Sequence, residues 1–187
     1  KIAFYATWPV GGGEERIALN LAKGFADRGY SVDLVLLFVT QEQQEAIPDN
    51  INVVDLKMPI RIWTRVIRLI RYFRQAKPTV IYCTGSKRSF EGILAKLVSI
   101  SSIRLIVSVH ILETEWLSTQ SSAKFKLFRY MERLLFPFAS KIIPVSFGVA
   151  DDLIKNTGIS KDLIKVIYNP VVTDQLKHKM NLPVEHK

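Results

Sequence analysis

Seven short apolar runs alternate with segments of helical repeat, and that alternation limits the fold more than any other feature of the chain. The runs are residues 2–6, 31–39, 51–56, 79–83, 103–109, 141–145 and 163–167. Each is short for a helix, and most carry apolar side chains at consecutive positions, as strands covered on both faces do. The intervening segments 17–25, 59–76, 90–100, 123–136 and 148–156 place apolar residues at helical spacing. Strand, helix and strand in succession form a right-handed parallel unit. The sequence therefore predicts an α/β fold: a doubly wound parallel sheet of about seven strands in three layers.

Such a sheet takes its ligand beyond the carboxyl ends of its strands. The first strand leads to Gly11-Gly12-Gly13, and Glu14-Glu15-Arg16 open the helix behind that turn. Glycines let backbone approach a ligand, and a helix N-terminus offers free N–H groups and partial positive charge. Phosphate or sugar suits such a place. The dinucleotide fingerprint fits badly, because Arg16 stands where a third glycine packs helix on strand. The second strand also ends in Phe38-Val39-Thr40 without an acidic residue. A Walker loop is excluded because Glu14-Glu15 replace its lysine and hydroxyl residue; Thr84-Gly85-Ser86-Lys87 only echoes it. A bare flexible turn is the plain alternative for Gly11–Gly13.

Other residues fall at the same edge. Thr84, Gly85 and Ser86 follow the fourth strand, His110 the fifth, and Ser146 the sixth. Ser86 is expected to cap helix 90–100, with Glu91 in its first turn. Ser146 is expected to cap helix 148–156, with Asp151 and Asp152 complementing its dipole. His110 is the one histidine outside the last ten residues. At the ligand edge it reads as a donor to a sugar hydroxyl or a phosphate rather than as a core side chain. The sequence holds no Cys, His and carboxylate cluster with metal-ligand spacing. Lys87 and Arg88 read as solvated loop charges. Cys83, the single cysteine, lies in an apolar run and reads as core packing; its solitude rules out an internal disulfide and suits a reducing cytosol.

The 187 residues are 48% hydrophobic and 23% charged, enough for one domain with a sizeable core. No apolar run spans a bilayer, and no secretory signal is present. Lys and Arg number 26 against 17 Asp and Glu, a net charge of +9 that favours anionic partners. Nucleic acid is not among them, because no stacking motif or recognition helix is found. On helix 59–76, Arg61, Arg65 and Arg68 share one face, opposite Ile62, Trp63, Val66, Leu69, Ile70 and Phe73. No acidic residue lies between Met58 and Lys77. An ordinary solvated face is one reading; contact with an anionic membrane through these three arginines is the sharper one.

Taken in order, several segments resemble one family. Gly12-Gly13-Glu14-Glu15-Arg16, Leu21-Ala22 and Arg28-Gly29-Tyr30-Ser31-Val32 are similar to the opening of family-4 (group 1) glycosyltransferases. Lys77-Pro78-Thr79-Val80-Ile81, Val107-Ser108-Val109-His110, Lys141-Ile142-Ile143-Pro144-Val145-Ser146 and Lys165-Val166-Ile167-Tyr168-Asn169-Pro170-Val171 follow in the family's order. Three positions depart from it: Ile111 stands where Asn or Asp is common, Thr79 where Asp is usual, and Tyr30 where His is usual.

The resemblance implies a GT-B fold, in which two Rossmann-like domains face a cleft. Residues 1–172 correspond to the N-terminal, acceptor-side domain, and 173–187 to a linker toward a C-terminal donor-binding domain not present here. It implies sugar transfer from a nucleotide-sugar donor, with retention and without a metal or other cofactor, to a lipid-linked or carbohydrate acceptor. His110 is implied near the transferred sugar as the catalytic residue. Gly11, Gly12, Gly13, Glu15, Arg16, Thr84, Gly85, Ser86 and Ser146 are the expected donor and acceptor contacts. The motif of two spaced glutamates that marks the donor half does not occur, so this stretch by itself is expected to be inactive. The expected setting is cytoplasmic, peripheral on the cytoplasmic membrane face. The alternative from another class is a non-catalytic membrane-docking, acceptor-binding module that recruits a separate catalytic subunit.

Overall fold

The computed structural model describes residues 1–8, 12–57, 61–111 and 122–170. Its strands are β1 (Ile2–Ala6), β2 (Val32–Leu36), β3 (Ile51–Asp55), β4 (Val80–Thr84), β5 (Arg104–Val109) and β6 (Lys141–Pro144). Its helices are α1 (Gly13–Ala26), α2 (Gln41–Glu45), α3 (Ile62–Ala76), α4 (Gly85–Ser99), α5 (Ser122–Leu135) and α6 (Phe147–Thr157). The strands form one parallel sheet in the order β3-β2-β1-β4-β5-β6. The chain winds outward from β1 to β3, crosses through α3 to β4, and winds outward again to β6. Its direction reverses between β1 and β4, the place where such sheets bind ligands.

Period-two alternation sends neighbours such as Phe4 and Tyr5 to opposite faces. On one face α3, α4, α5 and α6 pack over Tyr5, Ile81, Leu105 and Ile142. On the other, Ala18, Leu19 and Ala22 of α1 cover Phe4, Leu34 and Leu36. Both faces are thus apolar, which is why the runs are nearly continuous rather than alternating. Helix α3 turns Val66, Leu69 and Phe73 inward at helical spacing. Truncating a side chain as fully enclosed as Leu69 costs about 2–5 kcal/mol. The helix ends at Lys77, which adopts a left-handed conformation (φ 45°) immediately before Pro78. Pro59, expected to open it, lies outside the described residues.

Asp33, which interrupts the second apolar run, is buried but satisfied. It accepts hydrogen bonds from Tyr72 Oη at 2.7 Å and Asn52 Nδ2 at 3.0 Å, and Lys1 Nζ lies 3.3 Å away.

The sheet has six strands rather than seven. Residues 163–167 do run beside β6, where the Lys165 and Ile167 N–H groups donate to the carbonyls of Ile142 and Pro144 at 2.9 and 3.2 Å. Only one bridge forms, Ile142 with Ile164. At the next position Pro144 has no N–H to return a bond, so the ladder stops there.

On the other face, α1 reaches from β3 to β4. A cavity of about 420 Å³ lies there, walled by Phe4, Phe25, Tyr82, Ile106, Ile143 and Tyr168. No described helix is long and apolar enough to cross a membrane.

Candidate functional site

The strand ends β4 and β5 lie side by side, with Thr84 opposite Ser108. A cavity of about 240 Å³ opens above them, lined by Thr84, Gly85, Ser86, His110 and Ile111, by Thr7 after β1, by Glu14 of α1, and by Lys87 and Arg88 of α4. The sheet therefore brings Thr84–Ser86 and His110 into one site.

His110 is held from below. Its Nε2 lies 2.5 Å from Ser108 Oγ, and Ser108 Oγ accepts from Tyr82 Oη at 2.6 Å. Tyr82 and Ser108 are buried, and the register of β4 with β5 sets their approach. The Ser108 hydroxyl, with two acceptor lone pairs and one proton, can bond Nε2 in either tautomer of the ring. Burial lowers the His110 pKa from 6.5 to about 4, so the ring is neutral at physiological pH. A neutral imidazole both donates and accepts, which suits hydroxyl recognition.

Gly85 connects β4 to α4 in a left-handed conformation (φ 64°). The carboxylate of Glu14 packs against it so closely that a Cβ there would lie 2.7 Å from Glu14 Oε2. The first turns of α1 and α4 thus meet at the cavity through a glycine and a carboxylate. Sequence reasoning passed over Glu14, Thr7 and Ser108. Glu14 was the hardest to find, because a glutamate in a first helical turn is commonly just a dipole complement.

Helix α4 begins at Gly85, not at residue 90, and Thr84 is its N-terminal flank without a side-chain cap. Ser86 is therefore inside the first turn, where its Oγ donates to Glu132 Oε1 at 2.8 Å instead of capping. Glu91 is correspondingly deeper in the helix and fully buried. It receives Tyr5 Oη at 2.5 Å and Arg65 Nε at 2.8 Å, with Arg88 Nη1 at 3.1 Å. Arg88 is buried over the Tyr5 ring and is no solvated loop charge. A second buried cluster links Arg129 to Glu132 and to Asp152, each at 3.1 Å. Asp152 is thus an ion-pair partner rather than a dipole complement, and α6 has no acid in its first turn.

Ser146 accepts from the Val149 N–H at 3.2 Å and caps α6, and it does not line the cavity. Gly12 flanks α1, Gly13 begins it, and Arg16 is exposed one turn on; Glu15 folds back so that a Cβ on Gly12 would lie 2.5 Å from its Oε2. These four are at the same edge without lining the cavity, and Gly11 lies outside the described residues.

The three arginines expected to face a membrane do not share a solvated face. Arg65 turns to buried Glu91, and Arg68 Nη1 donates to the Leu56 carbonyl. Of the three, only Arg61 is exposed. On the apolar side Val66, Leu69 and Phe73 are buried as expected, whereas Ile62 and Trp63 face solvent.

The model of the family described as Glycosyltransferase Family 4 matches residues 11–175. The chain belongs to that family. This family-4 domain is also similar in fold to solved GT-B glycosyltransferases. Anabaena HepE in complex with UDP-glucose superposes with a TM-score of 0.64 at 22% identity, over 90% of this chain and 43% of that one. The lipopolysaccharide outer core galactosyltransferase WaaB gives 0.66 at 17% identity, over 91% and 46%. Sucrose-phosphate synthase from Thermosynechococcus elongatus gives 0.68 at 13% identity, over 97% and 52%. A search of curated protein sequences finds no match. The family-4 domain thus spans about half the length of the structures it matches, and its sheet corresponds to one Rossmann-like half of a GT-B fold.

Proposed function

We propose that the protein to which this domain belongs transfers a sugar from a nucleotide-sugar donor to an acceptor hydroxyl with retention of configuration. Residues 1–172 form its acceptor side. Residues 173–187, which lie outside the described residues, lead toward a donor-binding half, without which the domain does not turn over. The acceptor is lipid-linked or a carbohydrate, and the reaction uses no metal.

The observation that carries this reading is His110, neutral and anchored through Ser108 and Tyr82, at a cavity on the ligand edge of the sheet. A neutral ring donates to a sugar hydroxyl without placing positive charge beside the cation-like anomeric centre. Glu14, which lines the same cavity, offers carboxylate oxygens to hydroxyls of the acceptor. The domain's contribution is to hold the acceptor oxygen against the anomeric carbon while the diphosphate departs, so its share of catalysis is mainly positioning. UDP-glucose bound to HepE, a protein of the same fold, supports a nucleotide sugar as the donor class.

The test is transfer by the intact protein from a panel of UDP-, GDP- and ADP-sugars, with His110→Ala alongside. The reading expects turnover with at least one donor and a loss of about a hundredfold in the variant. Unchanged turnover in His110→Ala would remove that residue from the site, and no transfer from any donor would defeat the assignment.

A further inference from the structure

Two aromatic rings stand in solvent at the ligand edge of the sheet. Phe147 is the first residue of α6, and Tyr168 follows the stretch that runs beside β6. Each is 64% exposed, and they meet edge to face, with centroids 6.3 Å apart at an interplanar angle of 69°. Backbone contacts anchor both. The Ser146 cap holds the start of α6, and the Ile167 N–H donates to the Pro144 carbonyl at 3.2 Å just before Tyr168. The pair is therefore a preset corner of two inclined faces, ordered by the fold rather than on binding. A single exposed ring needs no explanation, but a fixed pair at a ligand edge marks a binding surface.

The pair adjoins the His110 cavity. The Val145 N–H donates to the Val109 carbonyl at 3.1 Å, so the exits of β5 and β6 lie side by side, about 5 Å apart in the hydrogen-bonding direction. The local charge also differs from that of the rest of the domain. Helices α3, α4 and α5 carry eleven Lys and Arg, whereas α6 has none before Lys155. Exposed Asp151 stands one turn beyond Phe147 on the same side of α6. Aromatic faces beside a carboxylate match a pyranose ring, whose axial C–H bonds form an apolar face and whose hydroxyls donate at the rim. They do not match a phosphate or an acidic sugar, which the carboxylate repels. Nor do they match a hydrocarbon chain, which would cover the carboxylate without pairing it.

We propose that Phe147 and Tyr168 form a stacking platform for a neutral pyranose ring of the acceptor, beyond the ring that carries the reacting hydroxyl. Asp151 accepts from the hydroxyls of the stacked ring. The acceptor is thereby a glycan of at least two sugars, its reacting end at His110 and its next ring on the platform. For the class of ligand the inference rests on the sugar-transfer reading. The remainder of the protein is the competing occupant of the two rings, and the experiment separates it from a sugar.

The experiment is saturation-transfer difference NMR on the intact protein with cellobiose, lactose and maltose, beside glucose and galactose alone. It needs no donor, so it is decided independently of transfer. At least one disaccharide is expected to receive saturation on the C–H protons of one ring face and to bind more tightly than its component sugars. Phe147→Ala with Tyr168→Ala should weaken that binding at least about tenfold. Asp151→Asn should weaken it about threefold. Phe147→Tyr keeps a ring, and Tyr130→Ala removes an exposed ring outside the platform; both should stay within about twofold of the parent. No saturation of any disaccharide, or equal affinity in the parent and the double variant, would overturn the proposal. So would a lower melting temperature of the double variant with unchanged sugar binding, which would place the remainder of the protein on the two rings. Transfer that is lost in His110→Ala, beside unchanged binding in the double variant, would remove the platform and leave the transfer reading standing.

Discussion

The Nε2 of His110 lies 2.5 Å from the Oγ of Ser108, two residues earlier in the same strand exit. That short reach holds the ring where it lines the cavity. Ser108→Ala should therefore reduce turnover of the intact enzyme by about tenfold while changing stability by no more than about 1–2 kcal/mol. Steady-state kinetics beside a denaturant melt separates the two effects. A loss of activity fully explained by unfolding would mean that the contact is only structural.

The histidine also predicts a pH dependence of stability. Its folded pKa of about 4 lies below the ordinary 6.5, so the unfolded chain binds the extra proton first as pH falls. Its stabilising contribution is complete above about pH 6.5 and is lost on going down toward pH 4, by at most about 3 kcal/mol. Denaturant melts of the parent and His110→Gln across this window should converge at the acidic end. Parallel curves would show that the ring is not held neutral by burial.

Buried Glu91 joins Tyr5, Arg88 and the partly exposed Arg65. Glu91→Ala leaves cations buried without their counter-charge, at a cost of about 3–5 kcal/mol. In a domain of this size that is a fall in melting temperature of roughly 10 °C. Thermal denaturation followed by circular dichroism is sufficient, and a shift of a degree or two would contradict the pairing.

At Gly85 two costs coincide: a positive φ, and the Glu14 carboxylate 2.7 Å from where a Cβ would stand. Gly85→Ala should destabilise by about 2 kcal/mol, and Glu14→Ala should recover the steric share, leaving about 1 kcal/mol of backbone strain. A double-mutant cycle measures that coupling directly. Strict additivity would argue against the contact.

Cys83 is enclosed, and burial pushes its thiol well above the ordinary range. Gly92 lies against it, so that a Cβ there would come within 2.7 Å of Sγ. A thiol reagent should label Cys83 only as fast as the domain unfolds. Gly92→Ala should cost about 1–3 kcal/mol by overpacking and make that labelling faster. Rapid labelling of the native parent would show the thiol to be accessible.

The fold was legible because strands covered on both faces leave a nearly continuous apolar record, clear even where Asp33 interrupts β2 and Asn52 interrupts β3. The seventh was misleading for a reason that hydropathy does not register: Leu163–Ile167 has the right side chains, but its neighbour Pro144 lacks the N–H that the ladder needs. His110 and Thr84–Ser86 were legible as sheet-edge positions. The start of α4 was not, because Gly85-Ser86-Lys87-Arg88-Ser89 has the composition of a loop while Ser86, Arg88 and Ser89 turn inward to partners. Glu132 meets Ser86, and Glu91 meets Arg88. The same blindness affected Arg65 and Arg68. A charge on a helix looks solvated until its partner is placed beside it: Glu91 on another helix for Arg65, and the Leu56 carbonyl for Arg68.

With eleven cations against two buried acids on α3, α4 and α5, the domain is strongly electropositive on that side of its sheet. Near any negatively charged wall it experiences a torque as well as an attraction. Screening limits that torque to the last nanometre or so of approach at physiological ionic strength. Within that distance the molecule turns before it lands, so its first touch and its final pose present the same side.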